Sequence, residues 1–267
     1  MKAIGIGDNV VDMYLTEKKM YLGGNALNFA VFANRLGIDS AFVGVFGNDQ
    51  RASFALDVLN QLNVDTSHSK ANPGENGFSR VELLNGDRRF LGSNRGGVLR
   101  DGLNLNVYDI EFINGFDLAH FNINGSADEY LDLVKIPKVY DFSDLFTEEV
   151  IAQVAGKVGL ACFSCGGMSK GDVDSLCHFV EKAGCDSVLC TLGSQGSVVY
   201  SNGLFYWQDA VRVKAVDTMG AGDAFITAFS IEWVQKTHSI EESMIKARDF
   251  ATEQVMTNGS FGFGRSF

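Results

Sequence analysis

Asp217-Thr218-Met219-Gly220-Ala221-Gly222-Asp223 joins an anion cradle to a carboxylate in one short run. Gly220 and Gly222 bracket a small residue where an apolar run at helical spacing begins (Phe225, Ile226, Phe229, Trp233). That pattern predicts a tight turn opening a helix. Unpaired amides and the helix dipole at such a turn attract an anion without any basic side chain. Phosphoryl transfer needs such a hole for the equatorial oxygens, and a group that orients or deprotonates the attacking hydroxyl. Gly220, Ala221 and Gly222 offer the hole, and Asp223, in the first helical turn, offers the base. Aspartate near a helix start also arises from capping alone, so the motif needs support from elsewhere in the chain.

Two further groups supply that support. Asp8, Asp12, Gly23, Gly24 and Asn28 gather short polar groups at the end of the first expected strand and the start of the first helix. Carboxylates and amides pair with adjacent hydroxyls, and glycine backbone admits a sugar ring closely, so this set suits a polyol. Ligands of open parallel sheets bind beyond the strands' carboxyl ends, where Gly7-Asp8 would lie. Thr191-Leu192-Gly193-Ser194-Gln195-Gly196 turns through two glycines after a strand, a form suited to the nucleotide side, although any α/β protein has such turns.

These groups need a large scaffold, and 267 residues with 46% hydrophobic content can bury one. A net charge of −11 sets a repulsive field against nucleic acid and anionic membranes, and both partners are set aside. No apolar run reaches membrane-spanning length. The five cysteines, Cys162, Cys165, Cys177, Cys185 and Cys190, are an odd set in a long chain. Buried free thiols in a reducing compartment, the cytoplasm, are expected rather than a disulfide or zinc framework.

The positioning elements alternate. Lys2–Gly7 reads as a strand, and its Gly-x-Gly fails as a dinucleotide fingerprint because position 10 is Val. Val10 to Leu22 reads as extended, and Gly23-Gly24-Asn25 opens a helix closed by Gly37. A strand at 41–46 and a helix at 52–62 follow. Segments 78–84 and 87–91 flank Asn85-Gly86, a strong hairpin signal and a break in the parallel rhythm that suggests a lid. Strands are then expected near 117–122, 138–142, 159–164 and 187–192, with helices near 127–134, 147–154 and 172–183. Asn202-Gly203 marks a second hairpin, and a last helix is expected over 240–256.

In combination and in this order, the Gly-Asp…Asp start, Gly23-Gly24-Asn25-Ala26-Leu27-Asn28, Gly44-x-x-Gly47-x-Asp49, TLGSQG and DTMGAGD closely resemble the ribokinase-like, or pfkB, carbohydrate kinases over essentially the whole chain. The resemblance implies one three-layer αβα domain spanning 1–267, with a mostly parallel sheet and a small β lid formed near 10–22 and 77–99. It implies transfer of the ATP γ-phosphate, with Mg²⁺, to a sugar hydroxyl, and it leaves room for a monovalent cation near the anion hole. It places Asp223 as base, Gly220, Ala221 and Gly222 as anion hole, Asp12, Gly24 and Asn28 at the sugar, and Thr191, Gly193, Gly196 and Asn258 at the nucleotide.

Asp141-Phe142-Ser143-Asp144, the short lid and the overall spacing most resemble the family's bacterial fructoselysine 6-kinases, implying a fructosamine acceptor phosphorylated on a primary hydroxyl. Plain fructokinase or ribokinase activity, or a weakly active sugar and nucleotide sensor, are the alternatives. Two positions depart from the family pattern. Its Asn-x-x-Glu, which helps place Mg²⁺, is replaced after Ser164 by Cys165-Gly166-Gly167-Met168-Ser169-Lys170, with no acid until Asp172, and Arg51-Ala52 replaces a glycine. Arg88, Arg89 and Arg95 form a basic group on the lid that suits a carboxylate or phosphate, or a solvated hairpin face. Arg95 is taken as a substrate contact. A lid hairpin of this kind can also pair with a second subunit's, giving a homodimer.

Overall fold

In the computed structural model, which describes residues 1–84 and 87–267 and no side chains from 83 to 88, elements alternate through most of the chain. They run β1 (Lys2–Gly7), β2 (Val10–Tyr14), β3 (Lys19–Gly23), α1 (Asn25–Arg35), β4 (Asp39–Phe46), α2 (Gln50–Gln61) and β5 (Lys70–Ala71). Next come β6 (Phe78–Leu84), β7 (Asp87–Ser93), α3 (Val107–Ile113), β8 (Leu118–Asn122), β9 (Lys138–Asp141), α4 (Glu148–Val154), β10 (Leu160–Ser164) and α5 (Lys170–Lys182). The chain ends with β11 (Ser187–Thr191), β12 (Ser197–Ser201), β13 (Leu204–Gln208), α6 (Ala221–Gln235), α7 (Ile240–Gln254) and β14 (Arg265–Ser266).

The large sheet has the order β13-β12-β11-β10-β9-β8-β1-β4-β5. It is parallel from β11 to β5, and β12 and β13 add antiparallel to β11. Strands such as β1 and β4 are apolar on both faces because helices cover both. Ile4 and Ile6 pack with Ile113 of α3, Ile151 of α4 and Val173 of α5. On the other face Ala3 packs with Phe29 of α1, Phe229 of α6 and Met244 of α7. The result is a three-layer αβα arrangement. Asn202 (φ 51°) and Gly203 (φ 76°) form the β12–β13 turn, with the left-handed backbone that Asn-Gly favours.

A second sheet, β14-β3-β2-β6-β7, stands on the edge of this scaffold. It is antiparallel except for β2 and β6. The Asn85-Gly86 turn expected between β6 and β7 and the Arg88 side chain lie outside the described residues.

The helix expected near 127–134 is not an α-helix. It is a single 3₁₀ turn, Asp128–Tyr130, followed by tight i→i+3 turns. The Tyr130 hydroxyl accepts from the Leu105 amide (3.1 Å), and the Tyr140 hydroxyl donates to Asp128 (2.9 Å). These tertiary bonds hold the segment in its tighter path. An unforeseen helix, α3, lies earlier, and its signal was present: Asn106 and Asp109 form a reciprocal capping box.

Candidate active site

The parallel strands end along one rim, where Asp8 follows β1 and Asn122, Asp141, Ser164 and Thr191 end β8, β9, β10 and β11. Beside this rim lies a cleft of about 680 Å³, bounded by the large sheet, the N-terminus of α6 and the second sheet. Its lining includes Asp8, Asp12, Gly24, Asn28, Arg95, Gly220, Gly222 and Asp223, so the structure brings residues from both ends of the chain to one place.

The N-terminus of α6 is built by Gly220, which takes a left-handed φ of 72° as the helix cap. A Cβ there would come within 2.7 Å of the Ser260 Cβ, so the turn is pressed against the loop after α7. Gly222 differs: nothing lies within 4 Å of where its Cβ would stand. That open space, on the cleft wall, is room for an anion against the first turn of the helix. Asp223 follows, and its Oδ2 accepts from the Asn28 Nδ2 at 2.6 Å. The same Nδ2 donates to the Ser260 Oγ at 3.2 Å, while the buried Oδ1 of Asn28 has no hydrogen-bond partner among the described residues. Asn28 thus orients the proposed base from α1 across the cleft.

The two glycines before α1 have distinct jobs. At Gly23 a Cβ would lie 2.3 Å from the Asp12 Oδ2, so a larger residue would push that carboxylate aside. Gly24 has φ 99°, and a Cβ would meet the Asp8 carbonyl at 2.9 Å. Asp8 accepts from the amides of Asn25 (3.0 Å) and Ala26 (3.1 Å) and from the Asn122 Nδ2 (2.8 Å). Its carboxylate therefore caps α1 at the cleft floor, and burial still raises its pKa. Next to it, burial pushes Asp141 up to about 6. Asp141 accepts from the Asn25 Nδ2 (2.6 Å) and the Ser143 amide (2.8 Å).

Asp217 opens the glycine motif yet was not among the expected site residues. It is fully buried, and accepts from the Tyr14 hydroxyl (2.6 Å), the Met219 amide (3.0 Å) and the Gly259 amide (2.8 Å). One carboxylate thereby ties β2, the α6 turn and the loop that carries Asn258 and Ser260. Ser260, Asn25, Ser143, Asp144 and Arg100 were also missed as site residues; Asn25 and the 141–144 segment sit inside motifs visible in the sequence, whereas nothing local marks Ser260 or Arg100.

The residues expected on the nucleotide side lie beyond the cleft lining. Thr191 pairs in register with Ser164, which does line it. Gly193 (φ 59°) has nothing within 4 Å of its Cβ direction, whereas at Gly196 (φ 110°) a Cβ would lie 1.9 Å from the Gln208 carbonyl. Asn258 is exposed, and its carbonyl accepts from the Gly262 amide at 3.1 Å. Gly196→Ala is expected to lower stability by about 2–3 kcal/mol, and Gly193→Ala by about 1 kcal/mol, because only the former adds a clash to the strained φ. Thermal unfolding of the two variants checks the difference.

Other motifs turn out to be scaffold. Asp49 caps α2 through the Ala52 amide (3.0 Å) and pairs with Arg51, which also reaches Glu75 (2.9 Å). All five cysteines are buried and free. His120 is buried, stacked on Phe29 with centroids 4.6 Å apart, and its pKa is lowered to about 3 by burial, so it stays neutral. Trp207 is a partly exposed wall residue with the Lys170 ammonium 4.7 Å from its ring centre.

A parallel sheet whose carboxyl rim meets a glycine-turned helix N-terminus and an aspartate is an arrangement suited to phosphoryl transfer. The pfkB family of carbohydrate kinases matches residues 3–130 and 161–261, and the chain belongs to that family. It is therefore a kinase that phosphorylates a sugar-type hydroxyl with ATP. Fructosamine kinase FrlD of Bacillus subtilis (strain 168) is 35% identical over 268 residues, covering 99% of this chain and 94% of the relative. Fructoselysine 6-kinase of Escherichia coli (strain K12) is 32% identical over 231 residues, covering 85% and 87%. Among solved structures, Arabidopsis thaliana ribokinase complexed with ribose and ATP superposes with a TM-score of 0.81 at 19% identity, covering 97% of this chain and 94% of that one. Giardia lamblia ribokinase gives 0.80 at 16% identity, covering 97% and 94%. The fold is thus ribokinase-like. No helix among the described residues is long and apolar enough to cross a membrane.

Proposed function

We propose that the chain transfers the γ-phosphate of ATP to a primary hydroxyl of a fructosamine such as fructoselysine. The observation that carries the reading is the 2.6 Å bond from Asn28 to Asp223 beside the open Gly222 turn, joined to 35% identity with a fructosamine kinase. Asp223 takes the proton of the acceptor hydroxyl as its oxygen bonds to the γ-phosphorus. The bond from that phosphorus to the β,γ-bridging oxygen breaks, and ADP leaves with the electron pair. The Gly220-Ala221-Gly222 turn faces the charge on the moving phosphoryl group. Asp12, Gly24 and Asn28 receive the sugar, with Arg95 on the same cleft, while Thr191, Gly193, Gly196 and Asn258 face the nucleotide.

The second sheet is the lid, since β2, β6 and β7 supply Asp12, Ser79 and Phe90 to the cleft. β7 is its edge strand, with Phe90 56% and Leu91 45% exposed, which supports pairing with a second copy through the lid. Mg²⁺ fits poorly as a protein-held ion. No carboxylate occurs from Cys165 to Lys170, and Asp172 is spent capping α5 through Ser169. Among the described residues no group of three or more metal-ligating side chains occurs. Mg²⁺ would enter on the ATP phosphates and be held by them and water.

The test is ADP release from Mg²⁺-ATP with fructoselysine, fructose, ribose and nucleosides as acceptors. Turnover with fructoselysine is expected; turnover confined to plain sugars would replace the acceptor, and none with any would favour a sensor. Asp12→Ala is expected to raise the acceptor KM about tenfold or more, with the ATP KM little changed, because it removes charge-assisted bonds to sugar hydroxyls. An unchanged acceptor KM would remove Asp12 from the sugar site.

A further inference from the structure

The cleft carries more charge than a neutral sugar can use. Of its lining carboxylates, Asp8 is committed to α1, Asp141 to Asn25 and the Ser143 amide, and Asp223 to Asn28, while Asp12 is assigned above to the sugar hydroxyls. Asp144 stands outside these commitments. It follows Ser143, which holds a left-handed φ of 53°, and among the described residues its exposed carboxylate accepts only a long 3.3 Å bond from the Ser143 Oγ. It lies on the wall formed by the loops after β8 and β9, with Asn124, Ser126 and Leu145. The same cleft is lined by Arg95 and Arg100, both exposed. Arg100 is steadied by a 3.0 Å bond from its Nε to the Gly97 carbonyl, and neither guanidinium pairs with a carboxylate among the described residues.

A ketose would leave one anion and two cations of the same cleft without a charged partner among the described residues. A sugar joined through a secondary amine to an amino acid carries the matching charges, an ammonium next to the sugar and a carboxylate beyond it. We propose that Asp144 selects the acceptor by binding the secondary ammonium of a fructosamine, while Arg100 faces the carboxylate of its amino-acid part. This rests on the fructosamine reading above. A carboxylate accepts from an ammonium through a charge-assisted bond, stronger than a bond to a hydroxyl, and a guanidinium matches a carboxylate in a planar fork.

The experiment measures kcat/KM for fructoselysine, N-propylfructosamine and fructose in the wild type, Asp144→Asn and Arg100→Gln. In Asp144→Asn the ratio of either amine to fructose is expected to fall about tenfold, the size of one charge-assisted bond at a solvent-exposed site. In Arg100→Gln the ratio of fructoselysine to N-propylfructosamine should fall by a similar factor, since only the former has a carboxylate. Unchanged ratios in a wild-type enzyme that phosphorylates fructoselysine would overturn this proposal and leave the acceptor assignment standing. A wild type that phosphorylates fructose and neither amine would overturn both.

Discussion

Asp223→Asn is expected to fold, bind ATP with unchanged affinity and lose about 10²–10⁴ in kcat, the range for removing a general base. The substitution is nearly isosteric, and residue 223 sits partly exposed at the cleft, so the cost in stability should be small. Its contact with Asn28 changes from amide–carboxylate to amide–amide, which either side chain can accommodate by turning its amide over. The loss should fall on the chemical step rather than on binding. Single-turnover kinetics at saturating ATP and acceptor separates the two, and a chemical step within tenfold of the wild type would remove Asp223 from the role of base.

Asp217→Ala is expected to be the most destabilising of the changes considered. It would remove at once the acceptor that the Tyr14 hydroxyl and the Met219 and Gly259 amides share inside the fold. A donor left unsatisfied in a buried site costs about 1–3 kcal/mol, and relaxation recovers part of it, so about 3–5 kcal/mol is expected in total. For a chain of this size that corresponds to a fall in Tm of roughly 10 °C. Turnover should fall too, because the Gly220 turn and Ser260 lose their shared anchor. Tyr14→Phe removes a single bond and serves as the graded control, with a loss near 1–2 kcal/mol. A Tm for Asp217→Ala within a few degrees of the wild type would show that the carboxylate does not clamp the three segments.

What the sequence made legible was what local chemistry writes down. The βαβ rhythm follows from strands apolar on both faces, such as Ala41–Phe46, and from glycine turns, and it emerged nearly as read. The glycine motifs were legible because their reasons are local: Gly24 and Gly220 hold positive φ, and each precedes a helix start. The partners of those motifs were not. Ser260 meets Gly220, and Asn28 meets Asp223 across 195 positions in the chain, so only tertiary packing assigns them. Asp8 reads in the sequence as a ligand contact, and the structure shows its oxygens already accepting three bonds from α1 and β8 residues. The 127–134 segment misled for the opposite reason: its helical pattern is real, and the bonds that Tyr130 accepts from Leu105 and Tyr140 donates to Asp128 override it.

The acceptor and its reacting oxygen can be read in one spectrum. Proton-coupled ³¹P NMR of the product formed from fructoselysine and Mg²⁺-ATP is predicted to show a new phosphate monoester coupled to a methylene pair, the signature of a phosphorylated primary hydroxyl. No new ester, or an ester coupled to a ring methine instead, would contradict the account.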